Sequence, residues 1–340
     1  MLVSSRVPKW IRVTLFVSTV LLMVAGIVSA IVSAIPGCDA RPTTEEAQAA
    51  QGTSRAKIRV FASHPFLVEV VERLAGDSVE VVAPWRKGDG DPAFWKPTAD
   101  EIGAIQSCDL IVLNGAGFEH WTDQAALPRA RVCDTTASLK AKLIEVAGPT
   151  HSHGPQGEHS HAGTAFTTWV SPELARVQAH EVAARLEKLV PVRAAALQVT
   201  LQVSLAEIDA ELAATSAALA DAAKHEHRWL ASHPVYGYLG QAAGIEIASV
   251  LWEPGEMPSE DEWAKFAALL SGLRATQPMP TAWMLWEADP GSAVRARLDA
   301  LGVKVVVVSQ YGGGGAGGSV IKQIRASAEA MRDAVAQPKP

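Results

Sequence analysis

Hydrophobic positions along the chain fall into two kinds of run. Short β-rich stretches from Ile58 to Ala62, Ser78 to Val82, Leu110 to Asn114 and Arg131 to Asp134 alternate with helical patterns from Pro65 to Leu74 and Ala99 to Gln106. Gly76-Asp77 supplies the turn after the first helix. From about Pro191 to His225 the chain is rich in Ala, Leu, Glu and Gln, with no glycine and no internal proline, and Leu197, Leu201, Leu205, Ile208 and Leu212 recur at three- and four-residue steps. One stripe of this stretch therefore faces protein, and it reads as a spine helix long enough to cross a lobe. The alternation then restarts, with strands at Trp229 to Ala231, Ile247 to Val250, Ala282 to Trp286 and Val303 to Val308. Helices are predicted from Ser259 to Leu273, opened by Ser259 and Glu262 in capping-box spacing, from Ser292 to Leu301 and from Ser319 to Val335. The predicted fold is α/β: two Rossmann-like lobes, each a parallel sheet flanked by helices, joined by one long spine helix, with a ligand cleft between them. Ligands of such sheets bind beyond the carboxyl ends of the strands, so residues just after strands are the candidates for function.

Composition agrees with folded lobes. In 340 residues, 48% are hydrophobic and 19% charged, a mixture that buries sizeable cores. Thirty Lys and Arg against 36 Asp and Glu give a net charge of −6, which offers no broad positive field to nucleic acid. At the N-terminus Arg6, Lys9 and Arg12 precede an uncharged apolar run from Val13 to Gly37, the pattern of an export signal. The run ends Ile35-Pro36-Gly37-Cys38, which resembles a bacterial lipoprotein cleavage box, so that Cys38 would carry a lipid anchor. The alternative is an uncleaved membrane-spanning anchor. Either way the rest of the chain is expected outside the cytoplasm, on the periplasmic or cell-surface side of the membrane. The expected organisation is leader 1–37, flexible tether 38–56, N-terminal lobe 57–190 with a His-rich loop at 151–163, spine 191–225, and C-terminal lobe 226–340. Cys108 and Cys133 are the remaining cysteines, and a bridge between them is allowed by that compartment but not implied.

The candidate chemistry is metal binding. His151, His153, His159 and His161 place four imidazoles in eleven residues of a Gly- and Ser-containing loop. Neutral imidazole is a common zinc ligand, and a flexible loop suits capture and hand-over, although a solvated polar loop has the same composition. His233 follows a strand, and Pro234 holds it extended. Glu253 and Glu287 also follow strand-like runs, each directly after a Trp, where a carboxylate is either an oxygen ligand or a salt-bridge partner. His64 follows the first strand, in the mirrored position of the N-terminal lobe. Glu119 and His120 follow the third strand and read as a loop packing against Trp121. The glycines from Gly312 to Gly318 lack the Lys-Ser/Thr ending of a phosphate loop, and no helix-borne His-Glu-x-x-His pattern or nucleophile constellation points to an enzyme.

In order along the chain stand Gly76-Asp77, Asp91-Pro92-Ala93-Phe94-Trp95-Lys96-Pro97, and Cys108-Asp109-Leu110-Ile111-Val112-Leu113-Asn114-Gly115 ending in Phe118-Glu119. The His-rich loop, Trp169-Val170-Ser171-Pro172, the spine, and Ser232-His233-Pro234 with Tyr238 follow. This series resembles the zinc/manganese solute-binding lipoproteins of ABC transporters, the cluster A-I family, over nearly the whole exported chain. The resemblance implies a non-enzymatic, monomeric receptor that holds Zn2+ or Mn2+ between its lobes and delivers it to a membrane permease driven by its ATPase. It also implies His ligands at positions occupied here by Ala93 and Thr167, and a late acidic ligand near Ser309 or Gln310. Only His233 keeps its expected place. The expectation is therefore a rebuilt site: His233, imidazoles from 151–161, and oxygen from Glu253 or Glu287, with His64 in reserve. The competing expectation is a surface lipoprotein with a degenerate site that acts through protein contacts or takes a non-metal ligand.

Overall fold

The computed structural model describes residues 57–87, 92–146, 151–152, 158–159, 163–189, 195–224, 228–276, 281–309 and 318–336, all within the compact unit Lys57–Pro340. The leader, the lipidation position Cys38 and the tether lie outside them, as do His153, His161 and Gln310.

Two four-stranded parallel sheets form the frame. The first contains β1 (Ile58–Ala62), β2 (Val79–Val82), β3 (Leu110–Leu113) and β4 (Val132–Asp134) in the order β2-β1-β3-β4. α1 (Pro65–Ala75) and α2 (Ala99–Gln106) make its crossovers. All four residues of β3 are buried, as expected of a central parallel strand covered on both faces. Pro65 opens α1 at a position where a missing N–H costs nothing, and Gly76 ends it at φ 49°. Thr98 and Glu101 form a reciprocal capping box on α2.

A short antiparallel hairpin of β5 (Glu145–Val146) and β8 (Gly163–Thr164) follows, and its excursion carries a second backbone pairing of β6 (His151–Ser152) with β7 (Glu158–His159). α3 (Pro172–Leu189) and the long α4 (Ala195–Ala223) come next. The second sheet takes β9 (Arg228–Ala231), β10 (Ile247–Ser249), β11 (Ala282–Trp286) and β12 (Val303–Val307) in the order β10-β9-β11-β12, the first sheet's arrangement repeated. Its helices are α5 (Gly237–Ala243), α6 (Glu260–Thr276), α7 (Ser292–Ala300) and α8 (Val320–Ala336). Ser259 and Glu262 cap α6 as their spacing predicted, with the Ser259 amide 2.8 Å from Glu262 Oε2. Cys108 and Cys133 are both buried free thiols.

α4 is the spine. Leu201, Leu205, Ile208 and Leu212 of the predicted stripe are buried, and the stripe continues through Thr215, Leu219 and Ala222. It packs on α1 and α3 from the N-terminal half and on α8 from the end of the chain. One hydrophobic cluster consequently runs from Val60 through Leu212 to Val335, while a second, Trp252-Trp263-Phe266-Trp286, fills the far side of the second sheet. Polar ties lock the same layer. Glu69 of α1 accepts hydrogen bonds at the N-terminus of α8, from Ser319 Oγ at 2.5 Å and the Ile321 amide at 3.1 Å. Arg73 bonds Glu211 of α4 at 2.8 Å.

Because Ile208 is fully buried where both halves meet, Ile208→Ala should lower unfolding free energy by about 2–5 kcal/mol. In urea the loss should move far-ultraviolet circular dichroism and tryptophan emission together; transitions that separate would show that α4 does not join the halves into one folding unit.

Candidate functional site

In each sheet the first strand lies between the second and the third, so connections leave in opposite directions on either side of β1 and of β9. A crevice at the carboxyl ends belongs beside β1 and β3 in one lobe and beside β9 and β11 in the other. The two crevices are chemically different.

Beside β1 and β3 the polar groups are spent on one another. The Glu119 carboxylate accepts from the amides of Asn114 at 2.6 Å and Gly115 at 3.0 Å. Burial pushes its pKa up to about 7, against the lowering effect of these bonds and of Ser63. The Asn114 side chain accepts from Gln178 Nε2 at 2.8 Å and Thr168 Oγ1 at 3.0 Å, and donates to the Phe166 carbonyl at 3.0 Å. Gln178 also donates to Thr135 Oγ1 at 2.8 Å, closing a buried network across β3, β4 and α3. His64 lies beside this network. Its ring is fully buried among Phe66, Phe118 and Trp169, with centroids 6.1, 5.1 and 4.3 Å away, and Asn114 is close enough to act on it although neither ring nitrogen makes a hydrogen bond of good geometry. Desolvation lowers its pKa to about 3, and the Asn114 side chain offsets only part of that. The mirrored position thus holds a neutral imidazole in an aromatic cage, facing side chains that only the fold brings together.

Beside β9 the strand ends stay paired beyond the sheet. The Ser232 amide reaches the Leu285 carbonyl at 2.9 Å, and the Trp252 amide reaches the Ser232 carbonyl at 2.9 Å. His233 is thereby fixed between the segment carrying Glu253 and the segment carrying Glu287. His233 Nε2 is 3.0 Å from Glu253 Oε1, with the imidazole side chain 19% exposed and the carboxylate 63%. His233 Nδ1 is buried without a partner, so Nε2 is the nitrogen presented at the rim. Glu287, half-buried after β11, acts electrostatically on Tyr236, whose phenol is pushed up by burial and then by that carboxylate. Trp252 and Trp286, the residues preceding the two carboxylates, are buried with ring centroids 6.2 Å apart and anchor both segments in the second hydrophobic cluster.

The lobes touch at this edge. Thr167 Oγ1 donates to the Val235 carbonyl at 2.7 Å, and Tyr238 Oη donates to the Ala165 carbonyl at 2.8 Å while accepting from the Ile144 amide at 3.0 Å. Ala93, at the other ligand position implied by the resemblance, is buried. The structure thus pairs His233 with Glu253 and sets Glu287 on the opposite flank. Among the described residues, no three side chains of His, Cys, Asp or Glu gather into a ready metal cage. His151 and His159 stand in register across the β6–β7 pairing. Sequence reasoning missed the bonding of Thr167, which follows from a contact between distant segments, and the carboxylate role of Glu119, whose partners Asn114 and Gly115 lie only five and four residues before it in the loop after β3.

Comparison with known proteins gives a consistent result. The family described as zinc-uptake complex component A, periplasmic (ZnuA), matches residues 60–334. The high-affinity zinc uptake system protein ZnuA of Bacillus subtilis strain 168 is 25% identical over 182 residues, 52% of this chain. The match spans a little over half of that relative, 56% of its length. Among solved structures, the Zn(II)-bound ZnuA-like domain of Streptococcus pneumoniae AdcA superposes with a TM-score of 0.64 at 18% identity, over 83% of this chain and 100% of the other. The SBP FpvC of Pseudomonas aeruginosa in complex with Mn2+ gives 0.60 at 23% identity, over 82% and 98%. At these identities the likeness to the solved structures is one of fold.

His64 generates a stability prediction. Its folded pKa lies below the unfolded value of 6.5, so the unfolded chain binds a proton that the folded ring refuses, and stability is lost as pH falls from about 6.5 towards about 3. His64→Phe should remove that contribution, so its melting temperature relative to the parent should rise between pH 7 and pH 4. An equal difference at both pH values would show that burial does not suppress protonation of His64.

Proposed function

The chain belongs to the family of periplasmic zinc-uptake component A proteins, and from that membership we propose that it captures a divalent cation outside the cytoplasm and delivers it to an ABC permease and its ATPase. On this reading the chain is exported, held at the membrane through Cys38 or an uncleaved leader helix, and acts as a monomer without bond-making chemistry of its own. The observation that carries the proposal is the His233–Glu253 pair at the carboxyl edge of the second sheet, with Glu287 on its other flank. Imidazole and carboxylate ligands each stand about 2.0–2.2 Å from zinc in a tetrahedron, which places neighbouring donors roughly 3.3 Å apart. The 3.0 Å between His233 Nε2 and Glu253 Oε1 is close to that spacing, so a cation would replace the proton that links them. Glu253 is exposed enough to swing towards an arriving ion, and the imidazoles of His151, His153, His159 and His161 are proposed to capture it and complete its shell. A nitrogen and oxygen donor set favours zinc, with manganese admitted if carboxylates dominate.

A second reading draws on one specific observation. Thr167, where the resemblance implies an imidazole, spends its hydroxyl on the Val235 carbonyl, and Ala93 offers no donor at all. A surface lipoprotein that acts through protein contacts or a non-metal ligand would have this appearance.

Elemental analysis and competition titration of the lipid-free chain, residues 39–340, separate the two. One tightly held zinc or manganese ion per chain is expected, and His233→Ala should weaken it at least tenfold, about 1.4 kcal/mol. No bound ion at micromolar zinc would support the second reading, and unchanged affinity in the variant would remove His233 from the ligand set. Deleting residues 151–161 should slow metal uptake or lower affinity in the same assay; unchanged capacity and kinetics would make the segment a solvated insert.

A further inference from the structure

The contact between the lobes beside His233 has a shape that metal ligation does not explain. We propose that Thr167 and Tyr238 are positioning residues that latch the N-terminal lobe to the His233–Tyr238 segment and set the rate at which the cleft exchanges its cation. The exchange half of this inference rests on the metal-binding function proposed above.

Three hydrogen bonds cross the edge within a few residues of His233. Thr167 reaches the Val235 carbonyl at 2.7 Å, and Tyr238 joins the Ala165 carbonyl at 2.8 Å to the Ile144 amide at 3.0 Å. Tyr238 has no exposed surface, and burial raises its pKa, so its hydroxyl keeps the proton it donates. Thr167 is buried as well, which removes the competition from water that weakens an exposed hydroxyl contact. The Ile144 side chain also packs against the backbone at Gly237: a side chain there would place its first carbon 3.2 Å from Ile144 Cδ1. Two of the three bonds use backbone groups of the β5–β8 hairpin margin, and the third uses the segment leading into α3, so the latch grips the N-terminal lobe at two points.

At the back of the molecule the lobes are joined by α4 and by Glu69 at the start of α8, contacts that bury apolar surface and remain intact in any opening hinged there. At the front edge, neutral hydrogen bonds to two hydroxyls add to the packing of Tyr238, Leu239, Val235 and Ile144 on the same hydrophobic cluster. Losing one neutral hydrogen bond shifts an opening equilibrium by about fivefold. Two such losses would leave the protein folded while raising the open fraction substantially, and an ion held on one side of the cleft would enter and leave through that open form.

The test uses Thr167→Val, Tyr238→Phe, the pair together, and Thr167→Ser, which keeps the hydroxyl, all in the whole exported chain. Stopped-flow exchange of Zn2+ with a chromogenic chelator reads association and dissociation, and amide hydrogen exchange without metal reads the latch directly. Both rate constants should rise at least about fivefold in the double variant with stoichiometry unchanged, exchange of the Ile144 amide should accelerate in Tyr238→Phe, and Thr167→Ser should keep parental rates. A lower melting temperature with unchanged zinc rates would make the two residues structural only, and unchanged amide exchange in Tyr238→Phe would show that there is no latch. A parent chain that takes up no zinc would overturn the proposed function and the exchange half of this inference, while the amide exchange would still decide whether the lobes are latched.

Discussion

Everything functional in this protein depends on the burial of one face of α4. Leu201, Ile208, Leu212 and Leu219 are closed off by α1 and α3 on one side and α8 on the other. Each such side chain contributes about 1.5–3 kcal/mol when removed from water, so the shared layer is cohesive in a way that a flexible linker is not. The ion network on the same layer is partly buried, and its charges are compensated: Arg73 has Glu69 at 3.6 Å and Glu211 at 2.8 Å. With Glu207 also 3.9 Å away, this partly buried arginine keeps its charge among three carboxylates without a lone, desolvated partner. With the rear fixed, the segments beyond β9 meet the first lobe through Thr167 and Tyr238.

The two lobes repeat one strand order, yet among the described residues their strand ends are chemically different. In the first sheet, Glu119 supplies to the amides of Asn114 and Gly115 what an external anion would otherwise supply, and Gln178, Thr135 and Thr168 saturate the Asn114 side chain. A buried network with its hydrogen bonds made has nothing left for a ligand. In the second sheet the corresponding edge carries His233, with Glu253 on it and Glu287 at the end of the neighbouring strand. Chain symmetry therefore predicts where crevices form, and the side chains at the strand ends decide which crevice is chemically available.

Much of the frame was legible because its signals are local. The β-branched runs, the stripe on α4 and the Ser259–Glu262 cap each need only a short window of sequence. α3 was missed because its buried face is built from Ala175, Gln178, Ala179 and Ala183 as much as from Leu174, Val182 and Leu186, which dilutes the periodic signal. α5 was missed because Gly237 and Gly240 weaken a seven-residue helix that survives through tertiary contacts, with Gly244 closing it in the left-handed region at φ 68°. At the site, the strand-end rule marked His233, Glu253, Glu287 and His64 alike. It could not separate them, since the cage around His64 joins the neighbouring Phe66 to Phe118 and Trp169 from two distant segments.

On the proposed reading, ligation and closure are handled by different residues. A receptor that draws ligands from both lobes uses the ion itself as the bridge, so affinity and closure rise and fall together. Here His233, Glu253 and Glu287 all belong to the second lobe, and the first lobe meets them through the hydroxyl of Thr167 and the backbone groups bound to Tyr238. Closure then depends on the ion only as far as imidazoles of the 151–161 segment, which belongs to the first lobe, reach it, and discrimination falls to the donor atoms. One imidazole with two carboxylates is a harder set than several imidazoles, and neutral His residues from the 151–161 segment would shift it towards zinc. Metal preference would therefore be set by how many of those imidazoles reach the rim of the second sheet, while the latch between the lobes would set the pace of exchange.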